Sequence, residues 1–457
     1  MSHPRAEEQW QHSTMELASE SETSARQPLL SIPQSKMYAP AKFSRFQVLP
    51  PVLCTRRVYM QVACVLFVAL IVFLVRAMSA MRHTFVQYHL ETDTDGELVI
   101  LPTEFAQARG ALCLDGSPPA YYYRQSIVPA VRFWIIHLQP GGWCTTPHDC
   151  FERSTTPLGS SMETEISTNL KGIMSSDCDI NPDFCIWHIV DFLYCDGGSF
   201  LGNRSDPLTE NSKKLYLRGA LIFDTLIEHL QTQTLFRDAE QIILAGSSAG
   251  GLGAMIHADR LRERLPPSVK TLHVLLDGSL FLDMPDVNGL HTMGKMLKEA
   301  FQLHHAHKTE SIKECTRMMN NDEEWRCILP EVFHKYVFSP MFFLNSLHDK
   351  WYRYHALNIK CPVSVCTQEH LREVHNTLIQ LVDEGKEILR SKKNGVFFTP
   401  CPAHTMLIHK NRFRRLMSRG RTVQQAVGAW VKDEVNSRNF TEVLSVEDVL
   451  KFCPLSL

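Results

Sequence analysis

Ser248 stands at the centre of Gly246-Ser247-Ser248-Ala249-Gly250, with Gly251 behind it. An apolar run at 241–245 precedes this stretch, and an apolar-spaced segment at 252–264 follows it. Strand, tight glycine turn and helix are the setting in which a serine hydroxyl is pushed out at the end of a strand. The helix beneath begins with unpaired N–H groups, where an oxyanion could form. The same glycines would also suit a plain packed turn or a phosphate-binding loop. What separates these readings is whether a base and an acid follow in the chain.

A serine hydroxyl near neutral pH needs a base. His404 is the best placed candidate, in Thr399-Pro400-Cys401-Pro402-Ala403-His404, just after the last apolar strand. His257 lies on the helix after Ser248 and is expected to point away, and His304, His305 and His307 fall in a polar helical stretch. Two aspartates could orient the imidazole. Asp277 ends the strand after the Ser248 helix, and Asp349 follows the next one. In chains ordered serine, acid, histidine, the acid usually comes from the later strand, which favours Asp349 and leaves Asp277 a supporting role. The oxyanion donors are expected to be the N–H of Ala249 and those of Gly142 and Trp143, from the turn after an earlier strand. Trp143 and Phe281 are the expected pocket walls. This chemistry calls for no metal and no organic cofactor.

The segments carrying these residues alternate. Strands are expected at 131–138, 189–194, 241–245, 272–276, 341–344 and 396–399, with helices at 215–230 and 252–264. Each motif falls just past a strand's carboxyl end. The pattern predicts an α/β fold of the α/β-hydrolase kind, a mostly parallel sheet with helices on both faces.

The chain of 457 residues has a formal net charge of −2 and no zinc-like cysteine spacing, which speaks against a nucleic-acid partner. Residues 1–55 are polar and thin in large apolar side chains, and read as a disordered cytoplasmic tail. The stretch at 58–75 carries no charge and is just long enough to span a bilayer. Arg56 and Arg57 on its N-terminal side favour that side being cytoplasmic. A single-pass signal anchor at 56–77 is therefore expected, a type II arrangement with a lumenal or extracellular body at 84–457. Cleavage after Ser79, which would release a secreted protein, is the minority reading. Of 14 cysteines, all but Cys54 and Cys64 lie in the body, as suits disulfides in an oxidising compartment. Cys144/Cys150, Cys178/Cys185 and Cys315/Cys327 are close pairs, and a bridge at Cys401 would stiffen the His404 loop; the connectivity stays open. Asn203 and Asn439 head glycosylation sequons.

Taken together, Gln139-Pro140-Gly141-Gly142-Trp143-Cys144, Tyr194-Cys195-Asp196-Gly197-Gly198-Ser199-Phe200, Ser247-Ser248-Ala249-Gly250-Gly251, Asp277-Gly278-Ser279 and Ala403-His404 resemble the pectin acetylesterase and Notum family of serine carboxylesterases. The resemblance runs from about residue 98 to 430. It implies a triad of Ser248, Asp349 and His404, with Gly142, Trp143 and Ala249 lining the oxyanion hole. Cys144 after Trp143 matches the plant members, and Ser247 before the nucleophile matches the Notum members. The implied activity is removal of an O-acyl group through an acyl-enzyme, with acetate on a polysaccharide preferred. The alternatives are a Notum-like enzyme that takes a fatty acyl group from a lipidated signalling protein, and an inactive membrane-displayed binding protein.

Overall fold

The computed structural model describes residues 96–361, 365–444, 448, 449 and 453, together with 66, 67, 69, 70 and 76. Contacts divide the chain into Met1–Arg82 and His83–Leu457. In the first unit the described positions are helical. Among the described residues no helix is long and apolar enough to cross a membrane. The expected tail, and nearly all of the expected anchor at 56–77, lie outside the described residues.

The second unit is built on a ten-stranded sheet. Its strands are β1 (Gly96–Ile100), β2 (Ala120–Arg124), β3 (Phe133–Leu138), β4 (Ser167–Thr168), β5 (His188–Phe192), β6 (Gln241–Ser247), β7 (Thr271–Asp277), β8 (Met341–Ser346), β9 (Gly395–Thr399) and β10 (Asn439–Thr441). The order is β10-β9-β8-β7-β6-β3-β5-β2-β1-β4. From β10 to β5 every pairing is parallel. From β5 to β4 every pairing is antiparallel.

The central strands read as near-continuous apolar runs because both of their faces are covered. Ile136, Ile242, Leu244, Val274, Leu276 and Phe343 enter one core. Their neighbours Ile135, Ile243, Ala245, Leu275, Phe342 and Leu344 enter the other. The period of two is that of a strand. The first core is closed by α2 (Gly219–Gln233) and α3 (Ala249–Arg264), through side chains such as Leu226 and Met255. The second is closed by Phe413 and by Val427 and Trp430 of Val423–Val431.

Three expectations are corrected. The helix expected from 215 begins at Gly219, because Lys213–Leu215 pairs as a hairpin with Leu208–Glu210. The strands β1, β2 and β4 at one end of the sheet and β10 at the other were not foreseen. Finally, His304 is buried at the end of helix α4 (Thr292–Leu303) rather than part of a polar surface. The chain leaves β3 toward β5 on one side and returns at β6 on the other. The gap between the carboxyl ends of β3 and β6 is thus a topological switch point, where open α/β sheets bind ligands.

Candidate active site

Both turns at that switch point are shaped by glycine. Ser248 lies between β6 and α3 at φ 53°, ψ −125°. A non-glycine residue holds such a conformation only when its surroundings force it. They do: the Ser248 N–H donates to the Asp277 carbonyl at 2.7 Å. A Cβ on Gly246 would come within 2.3 Å of the Gly250 carbonyl oxygen, and one on Gly250 within 2.2 Å of that of Leu138. The Ser248 turn therefore rests on the turn that follows β3.

The Ser248 Oγ lies 2.8 Å from His404 Nε2. His404 Nδ1 lies 2.8 and 3.0 Å from the two carboxylate oxygens of Asp349. A carboxylate only accepts, so Nδ1 carries the proton and Nε2 is left to accept from the serine. Asp349 is fixed in turn as the N-cap of Lys350–His355, accepting from the Tyr352 N–H at 3.0 Å. Ser248 is 4 % exposed; the His404 side chain is 20 % exposed.

Asp277, the other candidate acid, does not touch His404. It is fully buried and accepts from Met406 N (2.8 Å), Leu407 N (2.9 Å) and Ser247 Oγ (3.0 Å). Burial pushes its carboxyl above the ordinary range, against the pull of those hydrogen bonds. It thereby fastens the chain just beyond His404 to the residue before Ser248. Gly278 (φ +61°) lets the His404 backbone approach, since a Cβ there would meet the His404 carbonyl at 2.2 Å. The Cys401–Cys453 disulfide ties down the same loop.

The expected oxyanion donors sit on facing turns. The N–H groups of Gly142, Trp143 and Ala249 donate to no backbone carbonyl. Behind them is a set of contacts that sequence reasoning missed. The Tyr194 hydroxyl donates to the Gly142 carbonyl at 2.5 Å and accepts from Ser199 N at 2.7 Å. The Trp143 indole N–H donates to Ser199 Oγ at 2.8 Å. Arg153 Nη1 reaches the Gly141 carbonyl at 2.5 Å. Gly141 has no room for a side chain, because a Cβ would enter the Tyr194 ring. Asp196 accepts from Gly198 N and Phe200 N, and burial pushes its carboxyl up to about 7.

The two aromatic residues expected as pocket walls lie side by side, with a third ring against them. Trp143 and Phe281 meet edge to face at 5.2 Å, and Trp351 closes a triangle with them at 6.0 and 5.6 Å. Trp351 also stacks on the His404 imidazole at 5.4 Å. An aromatic side chain two residues after Asp349 was the available signal. His257 turns away, its Nε2 2.7 Å from the Phe200 carbonyl.

Every close cysteine pair named from the sequence is bridged. Cys113–Cys195 and Cys361–Cys366 are bridged as well. Two groupings bring histidine to cysteines, Cys144/Cys150/His304 and Cys361/Cys366/His370. Their sulfurs are consumed in disulfides, which leaves no thiolate to ligate a metal.

Residues 91–447 match the family model described as Pectinacetylesterase. Pectin acetylesterase 5 of Arabidopsis thaliana is 33% identical over 340 residues, covering 71% of this chain and 78% of that protein. The palmitoleoyl-protein carboxylesterase NOTUM of Schmidtea mediterranea is 28% identical over 320 residues, 67% of this chain and 58% of that protein. Among solved structures, the Wnt deacylase Notum from Drosophila superposes with a TM-score of 0.65 at 22% identity, covering 77% of this chain and 97% of that one.

Proposed function

Since the chain belongs to the pectinacetylesterase family, we propose that it is a serine carboxylesterase that removes O-acetyl groups from a carbohydrate. The observation that carries the reading is the unbroken line Ser248 Oγ, His404, Asp349, at 2.8 Å and 2.8 Å. His404 Nε2 takes the hydroxyl proton as Ser248 Oγ adds to the ester carbonyl. The carbonyl oxygen gains the negative charge and is met by the N–H groups of Ala249, Gly142 and Trp143. The C–O bond to the carbohydrate then breaks, and His404 gives its proton to the leaving alkoxide. Water repeats the cycle on the acyl-enzyme and releases the acid. Asp349 holds the imidazole in the required tautomer and stabilises the imidazolium, without taking the proton itself.

The preference for a short acyl group rests on the Trp143, Phe281 and Trp351 rings. They pack against one another, and Phe281 and Trp351 lie against His404, which on this reading closes that side of the site to a long chain. Each buried methylene is worth about 0.8 kcal/mol, so an open apolar channel would favour long chains steeply and a filled one would reject them. The full chain should therefore hydrolyse p-nitrophenyl acetate faster, in kcat/KM, than the butyrate, octanoate or decanoate esters. A rise through octanoate would replace this reading with fatty deacylation of the Notum kind. Ser248→Ala should lower kcat by roughly a thousandfold or more. A folded chain that neither hydrolyses these esters nor labels with a fluorophosphonate at Ser248 would be a binding protein.

A further inference from the structure

Ser247 makes a second serine–histidine–aspartate line, back to back with the first. His137 Nε2 lies 3.1 Å from Ser247 Oγ, and His137 Nδ1 lies 2.7 Å from Asp191 Oδ1. Gln139 Nε2 donates to the other Asp191 oxygen at 2.7 Å. These residues come from the neighbouring strands β3, β5 and β6. His137 is 1 % exposed, Asp191 5 % and Ser247 0 %. Sealed from solvent, Ser247 has no access to an ester.

Donor accounting fixes what the line does. Asp277 already accepts from the Met406 and Leu407 N–H groups, so the proton on its contact with Ser247 comes from the serine. Ser247 has one hydroxyl proton, now committed. Its oxygen must therefore accept from His137 Nε2. At the other end the Asp191 carboxylate accepts from Nδ1. His137 thus bridges Asp191 and Ser247, and through the serine hydroxyl it reaches Asp277. Asp277 is the joint between the residue before the nucleophile and the N–H groups two and three residues beyond the base.

We propose that His137, Ser247 and Asp191 are positioning residues for the ester hydrolysis: a buried imidazole and hydroxyl that hold Asp277, and through it the His404 loop, in register with Ser248. This inference rests on the reading of Ser248 and His404 as the reacting pair. Removing the imidazole leaves Asp191 and Ser247 each short of a buried partner, and removing the hydroxyl leaves Asp277 short of a donor.

The test is steady-state hydrolysis of p-nitrophenyl acetate by the full chain, with melting temperatures measured in parallel. Wild type and Ser248→Ala establish the esterase reading first; an inactive wild type ends that reading and is a separate outcome. Given activity, Ser247→Ala should lower kcat about tenfold with KM within about twofold, because the loss is in alignment rather than in substrate contact. His137→Phe should lose at least as much. His137→Gln restores an N–H donor near the Nε2 position and should recover most of that loss. The pair of His137 variants keeps the test decisive if Ser247→Ala does not fold. An unchanged kcat in folded Ser247→Ala, a change in KM instead of kcat, or a glutamine variant no better than phenylalanine would overturn the proposal.

Discussion

At the scale of the residue, Ser248 is one of ten non-glycine residues at positive φ among the described residues. Ser248 sits in a left-handed conformation between glycines whose Cβ atoms would collide with backbone. That Ser248, Asp349 and His404 would meet was expected from residue type, chain order and position after successive strands, and the fold brings them within hydrogen-bond reach. Tyr194, Ser199 and His137 could not be given roles, because the partners that define them lie far along the chain: Tyr194 and its acceptor Gly142 are 52 residues apart. No local pattern reports a contact that only the folded sheet makes. Tyr194 is 1 % exposed and its hydroxyl bonds the Gly142 carbonyl in the turn of the proposed oxyanion donors, so Tyr194→Phe isolates that bond. The variant should fold, since the ring that fills the space beside Gly141 remains. Its kcat for p-nitrophenyl acetate should fall about tenfold, with little change in KM, as expected for a donor set that acts on charge developing in the transition state. An unchanged kcat would show that Arg153 and Ser199 suffice to hold the turn.

At the scale of the element, the central strands were legible because double burial leaves continuous apolar runs, and the glycine turns marked their ends. The helix start at Gly219 was misplaced, since Leu215 and Leu217 are buried outside any helix. Edge strands such as Asn439–Thr441 are too short to carry a period of their own. The turn after β5, Asp196-Gly197-Gly198-Ser199-Phe200, has a pH dependence of its own. Burial places the Asp196 carboxyl at about 7 in the fold, above its value in the unfolded chain. Between about pH 4 and pH 7 the native state thus holds a proton that the unfolded state has released. This turn's contribution to stability falls as pH rises through that window. Buried His257 and His304, both lowered to about 4 by desolvation, act the other way: stability is lost as pH falls from about 6.5 to 4. Asp196→Asn keeps a carbonyl acceptor for Gly198 N and Phe200 N and has no proton to lose. Its melting temperature relative to wild type should therefore be higher at about pH 8 than at about pH 5, and the histidines cancel in the comparison. An equal offset at both pH values would mean that Asp196 does not titrate in this range.

At the scale of the whole molecule, the disulfides and sequons set a compartment. Cys113–Cys195 closes a loop of 82 residues and Cys401–Cys453 one of 52. Cross-links of such span stabilise a fold mainly by restricting the unfolded chain, and they persist where the surroundings are oxidising. This agrees with a lumenal or extracellular body, the side that the slight arginine bias before the apolar stretch at 58–75 would also favour. The sequons are not equivalent. Asn439 is exposed on β10, the outermost strand of the sheet, where a glycan would also shield an open edge. Asn203 is half-buried, and its amide nitrogen donates to the Lys308 carbonyl at 3.0 Å, which leaves little room for transfer. Expressed with sealed microsomes, the full chain should therefore carry a glycan at Asn439 that endoglycosidase removes and Asn439→Gln abolishes. Asn203→Gln should change the mass little. If the apolar stretch at 58–75 anchors the chain, added protease should trim only the segment before it, leaving a fragment shortened by roughly fifty residues. Digestion of the body, with no glycan on either asparagine, would reverse the topology and remove the oxidising compartment that the disulfides need.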